Sequence, residues 1–287
     1  MIAAMIVESI LTSGDLALNL ATGSPNGSPL LFLHGVTRRW QDFVTLLPPF
    51  SLRWQVFALD FRGHGKSGRA SNPYRIVDYA RDAAAVLRSL REPAVVYGHS
   101  LGALVAGLVA AEMPECVRAV VLEDPPAPSV LRGLRQTPFA TMFVAMQPLA
   151  GHTRPLSEVA RELADTRLPG LGQATVRLGD VRDATSLRFM ARCLRDLDAN
   201  VLTDLLSGVW LDGYDAEHVW AGVRCPALLL CGEEVRGGML PRGEARTIAS
   251  QMADCTLIDV PGVGHLIHSL QAEATLRFVS GFLEAIE

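Results

Sequence analysis

The chain has 287 residues, 49% of them apolar and 20% charged, proportions of an ordinary globular protein that exclude a disordered or fibrous one. Its formal charge is -4 and no block of Lys or Arg interrupts the chain, which excludes a nucleic-acid partner held through its phosphates. No uncharged apolar run reaches the roughly 18 residues needed to cross a bilayer, and the length suits one large core with an insertion.

From the N-terminus, Met1 to Val7 form a short apolar run, but no basic residue precedes it and Glu8 ends it. It does not read as a secretion signal, and a cytoplasmic location is the expectation. Residues 6–11 and 16–20 flank Ser13-Gly14-Asp15, a turn signal that predicts a hairpin. Residues 30–33, 56–59, 94–97 and 117–122 are mostly apolar runs, the pattern of parallel strands covered on both faces. Between them, Ile76, Tyr79, Ala80, Ala83, Val86, Leu87 and Leu90 recur at three- and four-residue spacing and predict a helix over 76–90. A second helix is predicted over 103–111.

After Pro125-Pro126 the rhythm breaks. Residues 125–219 hold helical stretches at 157–164 and 187–197 but no strand pattern, and prolines bound them on both sides. They predict an inserted helical lid. Beyond Pro226 the alternation resumes with a strand at 227–230, a helix near 245–252, a strand at 256–259 and a last helix at 272–286. The predicted fold class is therefore α/β, a doubly wound, mostly parallel eight-stranded sheet whose core is built from 1–124 and 220–287. The five cysteines are odd in number and lack C-x-x-C spacing, which predicts buried free thiols and neither a disulfide framework nor a zinc site.

Gly98-His99-Ser100-Leu101-Gly102 matches a nucleophile elbow, a strained strand-to-helix turn that presents a serine with glycines two positions away on each side. A predicted strand precedes it and a predicted helix follows, which is the context the motif requires. A serine hydroxyl needs a base to take its proton, and imidazole is the usual one. Of the seven histidines, His265 stands in Gly262-Val263-Gly264-His265 directly after the last predicted strand, where a glycine-rich loop can carry it to the sheet edge. His268 follows at a spacing that suggests a metal pair, but no third ligand at suitable spacing completes one, so no metal and no organic cofactor is expected. His64 is expected to order a loop, and His152 and His218 to be structural or solvated. The backbone N–H of Leu101 can donate to a developing oxyanion, and His34-Gly35-Val36 after the strand at 30–33 offers the N–H of Val36 as a second donor.

With these residues in place, the chain resembles the α/β-hydrolase superfamily, in its lidded branch of esterases, carbon–carbon bond hydrolases and haloalkane dehalogenases. The resemblance rests on His34-Gly35, Asp60-Phe61-Arg62-Gly63-His64-Gly65-Lys66-Ser67-Gly68, the elbow at Ser100 and Gly264-His265, in the family's order. It implies a hydrolase acting on a small carbonyl substrate, with Ser100 and His265 as nucleophile and base. The orienting acid departs from the common pattern, because the position where relatives often carry it is Val235 in Cys231-Gly232-Glu233-Glu234-Val235. Some relatives place the acid after the strand that follows the nucleophile helix, which here is Asp124. Glu234, Glu233 and Glu123 remain alternatives.

A serine at the elbow argues for acyl transfer and against the alkyl-ester chemistry of dehalogenases. Cleavage of a carboxylic ester or lactone is the expected function. A carbon–carbon bond hydrolase of a vinylogous diketone and a ligand-binding protein with little turnover are the alternatives. Substrate contacts are expected from Gly35, His99 and the apolar stripe of the lid, Phe139 and Phe143 foremost, a stripe that could equally be core.

Overall fold

The computed structural model describes residues 6–169 and 175–286; residues 1–5 of the opening apolar run and residues 170–174 of the predicted lid lie outside them. Eight strands form one sheet: β1 (Val7–Ser13), β2 (Leu16–Thr22), β3 (Pro29–Leu33), β4 (Gln55–Leu59), β5 (Ala94–His99), β6 (Val117–Glu123), then, after the inserted segment, a strand at Ala227–Cys231 and one at Cys255–Asp259. Their spatial order is β1-β2-β4-β3-β5-β6 followed by these last two. The first pair and the β2–β4 pair are antiparallel and every other pairing is parallel.

Residues of β3, β5 and the strand at 227–231 are buried along their whole length, because helices cover both faces and no position has to meet water. The alternation of a strand sends neighbours to opposite cores. Leu31 and Leu33 enter one and Leu30 and Phe32 the other. α1 (Ile76–Ser89) and α2 (Leu101–Glu112) pack on the first face. α2 is apolar nearly all round, since the sheet covers one side of it and α1 and the inserted segment cover the rest.

Between β6 and the strand at 227–231 the chain is mostly helical: α3 (Pro138–Met146), α4 (Leu156–Asp165), α5 (Ala184–Arg195), α6 (Ala199–Ser207) and α7 (Ala216–Gly222), with shorter turns between them. The expectation that this stretch holds no strand needs correction. Arg167–Pro169 and Thr175–Arg177 form a small antiparallel pair, too short for a period-two pattern to show in the sequence. The last helices are α8 (Arg242–Gln251) and α9 (Ala272–Ala285), and His268 sits in a separate single turn, Ile267–Leu270, just before α9. All five cysteines are free, two of them buried and three half-buried. Among the described residues no helix is long and apolar enough to cross a membrane.

Register decides where the candidate residues fall. Leu33 pairs with Gly98, His99 with Glu123, and Glu123 with Leu230. The residues just past these strand ends, His34 to Val36, Ser100, Asp124 and Gly232, therefore share one edge of the sheet, where open α/β sheets place their ligand sites.

Candidate active site

Ser100 occupies the turn between β5 and α2 with φ 56 and ψ -117, a conformation that a non-glycine residue adopts only when its surroundings force it. Its N–H is held by the Glu123 carbonyl at 3.0 Å. The flanking glycines make the turn possible: a Cβ on Gly98 would lie 2.1 Å from the Gly102 carbonyl oxygen, and one on Gly102 would lie 2.0 Å from the Leu33 carbonyl oxygen. The serine is thereby pushed to the floor of an apolar pocket that Val36, Leu101, Phe143, Leu205, Trp210 and Met239 also line.

Val36 reaches this floor because two buried histidines fix the loop that carries it. His34 donates from Nδ1 to the Gly35 carbonyl at 2.8 Å and accepts the Phe61 N–H at Nε2 at 3.0 Å. His64 donates from Nδ1 to the Arg62 carbonyl at 2.9 Å and accepts the Thr37 N–H at 3.3 Å. Each accepts at one nitrogen and so is neutral, and burial pushes their pKa values down to about 4 and about 3. The segment from Asp60 to Gly68 is thus the scaffold of the loop: Asp60 takes the N–H of Trp40 at 2.7 Å and of Lys66 at 3.0 Å. Within this frame the N–H groups of Val36 and Leu101 have no acceptor among the described residues, the latter because it opens α2.

Asp124 follows β6 with φ 43 and is fully buried. Its Oδ1 accepts the Gly232 N–H at 3.2 Å, and its Oδ2 accepts the Met239 N–H at 2.8 Å and Nδ1 of His265 at 2.7 Å. His265 is carried by a loop pressed tightly on its neighbour, where a Cβ on Gly264 would meet the Arg236 carbonyl oxygen at 2.1 Å. Its imidazole, 17% exposed, lies against Phe139 with ring centroids 5.9 Å apart. No hydrogen bond links the Ser100 hydroxyl to His265, a contact that commonly tightens only when substrate is bound.

The other carboxylates weighed as the orienting acid lie elsewhere. Glu233 accepts the Gly262 N–H at 2.9 Å and pairs with Arg236 at 2.8 Å, and Glu234 opens an exposed turn, Glu234–Arg236. Glu123 is fully buried and bonds a different histidine: its carboxylate takes the Tyr97 hydroxyl at 2.5 Å and both N–H and Nδ1–H of His268 at 2.9 Å.

His99 requires a correction. Expected among the substrate contacts, it is 1% exposed and stands behind the serine, because it shares the Tyr97 face of β5 rather than the pocket face. Its ring lies between those of His265 and His268, with centroids 4.7 and 4.9 Å away, and its Nε2 donates to the His265 carbonyl at 2.9 Å. Burial pushes its pKa down to about 3. Gly35 abuts the serine: a Cβ there would lie 3.2 Å from that of Ser100.

Asp42, His99 and His268 each bring one donor atom to within 4.8 Å of the others, a grouping that sequence spacing did not reveal. Burial disfavours the charged form of His268, yet Glu123 and Asp42 outweigh it and raise its pKa to about 10. Its Nδ1 faces the Glu123 carboxylate and its Nε2 the Asp42 carboxylate, so both edges of the ring meet negative charge. Sequence reasoning also did not reach Leu205, Trp210 and Met239, which line the pocket from sequence-distant turns and helices without any motif.

Residues 30–278 match the model of the alpha/beta hydrolase family. The chain is 27% identical to the 2-(acetamidomethylene)succinate hydrolase of Mesorhizobium japonicum, over 95% of this chain and 93% of that one. Among solved structures it superposes on an E-2-(acetamidomethylene)succinate hydrolase with a TM-score of 0.77 at 24% identity, covering 98% of this chain and 100% of that one. The enol-lactonase of Burkholderia xenovorans LB400 gives 0.73 at 18% identity, covering 96% and 100%.

Proposed function

The chain belongs to the α/β-hydrolase family, and from that premise we propose that it cleaves a carboxylic ester or lactone by acyl transfer through Ser100. The observation that carries this reading is the 2.7 Å hydrogen bond from His265 to the buried Asp124 at the same sheet edge as a strained serine. Asp124 fixes the tautomer, leaving the His265 Nε2 lone pair to act as base. Ser100 Oγ attacks the carbonyl carbon as His265 takes its proton. The N–H groups of Val36 and Leu101 form the oxyanion hole for the tetrahedral oxygen. Collapse expels the alcohol, which receives the proton from His265. A water deprotonated by His265 then attacks the acyl-enzyme, and Ser100 leaves with its proton restored.

Residues 125–219 act as the lid of this site, with Phe143 on the acyl group and Phe139 beside the base. The pocket encloses only about 10 Å³, room for roughly one water, so the lid must swing away before a substrate enters. The Mesorhizobium relative is named for a succinate, which keeps acid-bearing acyl compounds within the proposed range.

Turnover of short-chain nitrophenyl esters and a panel of lactones tests the proposal against the Ser100→Ala protein. A loss of about 10⁵- to 10⁶-fold in kcat is expected, the scale seen when a triad nucleophile is removed. Equal rates for the two proteins would turn the reading toward a ligand-binding protein on the same fold.

A further inference from the structure

The pocket over Ser100 is walled by hydrocarbon. Val36 and Leu101 line it from the core, and the inserted segment adds Leu134 just before α3, Phe143 on α3, Leu205 on α6 and Trp210 just after α6. Among the described residues that line it, none is charged and Ser100 alone carries a polar side-chain group.

Charge stands close by in the chain and is turned away from this space. Arg132 and Arg135, on either side of Leu134 in the sequence, are both exposed, and Arg135 donates to the Leu206 carbonyl at 2.8 Å. Asp204, next to Leu205, is occupied in accepting the Tyr74 N–H at 2.8 Å. Successive residues of a helical turn do not share a face, so the apolar member of each pair can look inward while its charged neighbour looks out. The inward set is buried against itself: Leu134, Phe143, Leu205 and Trp210 belong to the same apolar cluster as Leu101 and Leu104 of α2, and the space between them is about 10 Å³.

Opening such a pocket exposes apolar surface on both of its walls, a cost that a ligand offsets by covering the same surface. A hydrocarbon chain does so. A carboxylate brought to the same place is stripped of water and meets no cation, and the N–H groups of Val36 and Leu101 are taken by the reacting carbonyl, so its charge stays unpaired. We propose that the acyl group this pocket accepts is a neutral hydrocarbon chain, with no charged or hydrogen-bonding group beyond the carbonyl that Ser100 attacks. The inference rests on the acyl-transfer reading of Ser100 and narrows it, because acid-bearing acyl compounds become poor substrates.

Two comparisons on the parent protein test this. Nitrophenyl acetate, propionate and butyrate share a leaving group, and kcat/KM should rise about fourfold with each methylene. Methyl pentanoate and monomethyl glutarate have the same chain length and differ at its far end, a methyl against a carboxylate, and a pH-stat follows both. Their kcat/KM ratio should favour the pentanoate by about 100-fold or more, the scale of an unpaired buried charge. Phe143→Gln, which puts an amide into the wall, should cut that ratio about 10-fold, mainly by raising KM for the pentanoate. The same exchange at Val144, the next residue of α3 and 57% exposed, should leave it alone. The two parent comparisons decide even if Phe143→Gln does not fold. Rates that stay flat or fall from acetate to butyrate, or a glutarate cleaved as well as the pentanoate, overturn the proposal and leave acyl transfer standing. If the parent protein cleaves none of these esters, ligand-observed NMR of pentanamide and glutaramate with the Ser100→Ala protein separates the two readings. Binding of pentanamide alone keeps the apolar pocket and ends the acyl-transfer reading, whereas binding of both or of neither ends the proposal as well.

Discussion

Two carboxylate–histidine pairs stand back to back at the end of β6, and consecutive residues build them: Glu123 with His268, and Asp124 with His265. The first pair is sealed, both side chains at 0% exposure, and Asp42 and Tyr97 close the ring around it. The second has an equally buried carboxylate but an imidazole 17% exposed, whose remaining nitrogen has no protein partner. Glu123 is held at about 2, because the charges of His268 and His99 and the hydrogen bonds of His268 and Tyr97 outweigh its burial. A histidine locked between two ionised carboxylates cannot take up and release a proton during turnover, whereas one with a single carboxylate and a free edge can. The same chemical pair is thus structural in one setting and available for chemistry in the other, and accessibility makes the difference.

The sharpest test of that contrast is Asp124→Asn. The amide keeps the shape and can still accept at one atom, but it no longer favours the tautomer with its proton on Nδ1. A loss of about 10⁴-fold in kcat with little change in KM is expected, as for the corresponding change in a serine triad. Steady-state kinetics on any ester the parent protein turns over measures it. If Glu234→Gln or Glu123→Gln, folded to the same extent, cost more in kcat than Asp124→Asn, the division of labour between the two pairs is wrong.

His268→Gln tests the other side. It leaves Glu123 and Asp42 buried without the cation between them, a defect of roughly 3–5 kcal/mol. Urea denaturation should show the midpoint falling by the equivalent amount, and protein that remains folded should keep kcat within about 10-fold. A loss of kcat on the scale of Asp124→Asn, with an unchanged midpoint, would move His268 from structure to catalysis.

Much of this arrangement was legible in the sequence, and the division follows from range. All eight strands of the main sheet were readable because apolar runs and turn residues are local signals, and Ser100 was readable because glycine spacing reports its strained turn directly. Asp124 could be put first among the candidate acids, with Glu234, Glu233 and Glu123 left as alternatives. Its neighbour Glu123 carries the same charge on the same strand end, and their opposite fates depend on which face each side chain takes and on a histidine more than 140 positions away. His99 was misplaced for a related reason: the elbow motif puts it beside the nucleophile in sequence, while the alternation of β5 turns it to the far face. The three-residue strands of the inserted segment carry too few residues for any period. The Asp42–His99–His268 cluster unites three distant parts of the chain, and no local pattern anticipates it.

The smallest effect, and the one that separates the histidines most finely, is the pH dependence of stability. His268 has a folded pKa raised to about 10 against an unfolded value of about 6.5. Its contribution is complete below pH 6.5 and is lost as pH rises toward 10. His34, His64 and His99 are depressed to about 4, about 3 and about 3, so their neutral burial is favourable above pH 6.5 and is lost as pH falls. Glu123, at about 2, adds to the acid limb only below about pH 4.5. Stability should therefore peak near pH 7, where the protons that His34, His64 and His99 take up on unfolding balance the one that His268 releases, with an acid limb of up to three protons taken up and an alkaline limb of one proton released, about 1.4 kcal/mol per proton and pH unit. Below about pH 7.5 the thiols contribute little, since their folded pKa values lie higher still and the unfolded value is about 8.5; above it they add the same decline to the parent protein and to His268→Gln. The stability difference between the parent protein and His268→Gln should shrink as pH rises from 6.5 to 8.5, approaching about 1.4 kcal/mol per pH unit, while the acid limb persists in both. An alkaline decline of equal slope in the two proteins would mean that the sealed pair does not hold its proton, and the contrast between the two histidines would lose its physical basis.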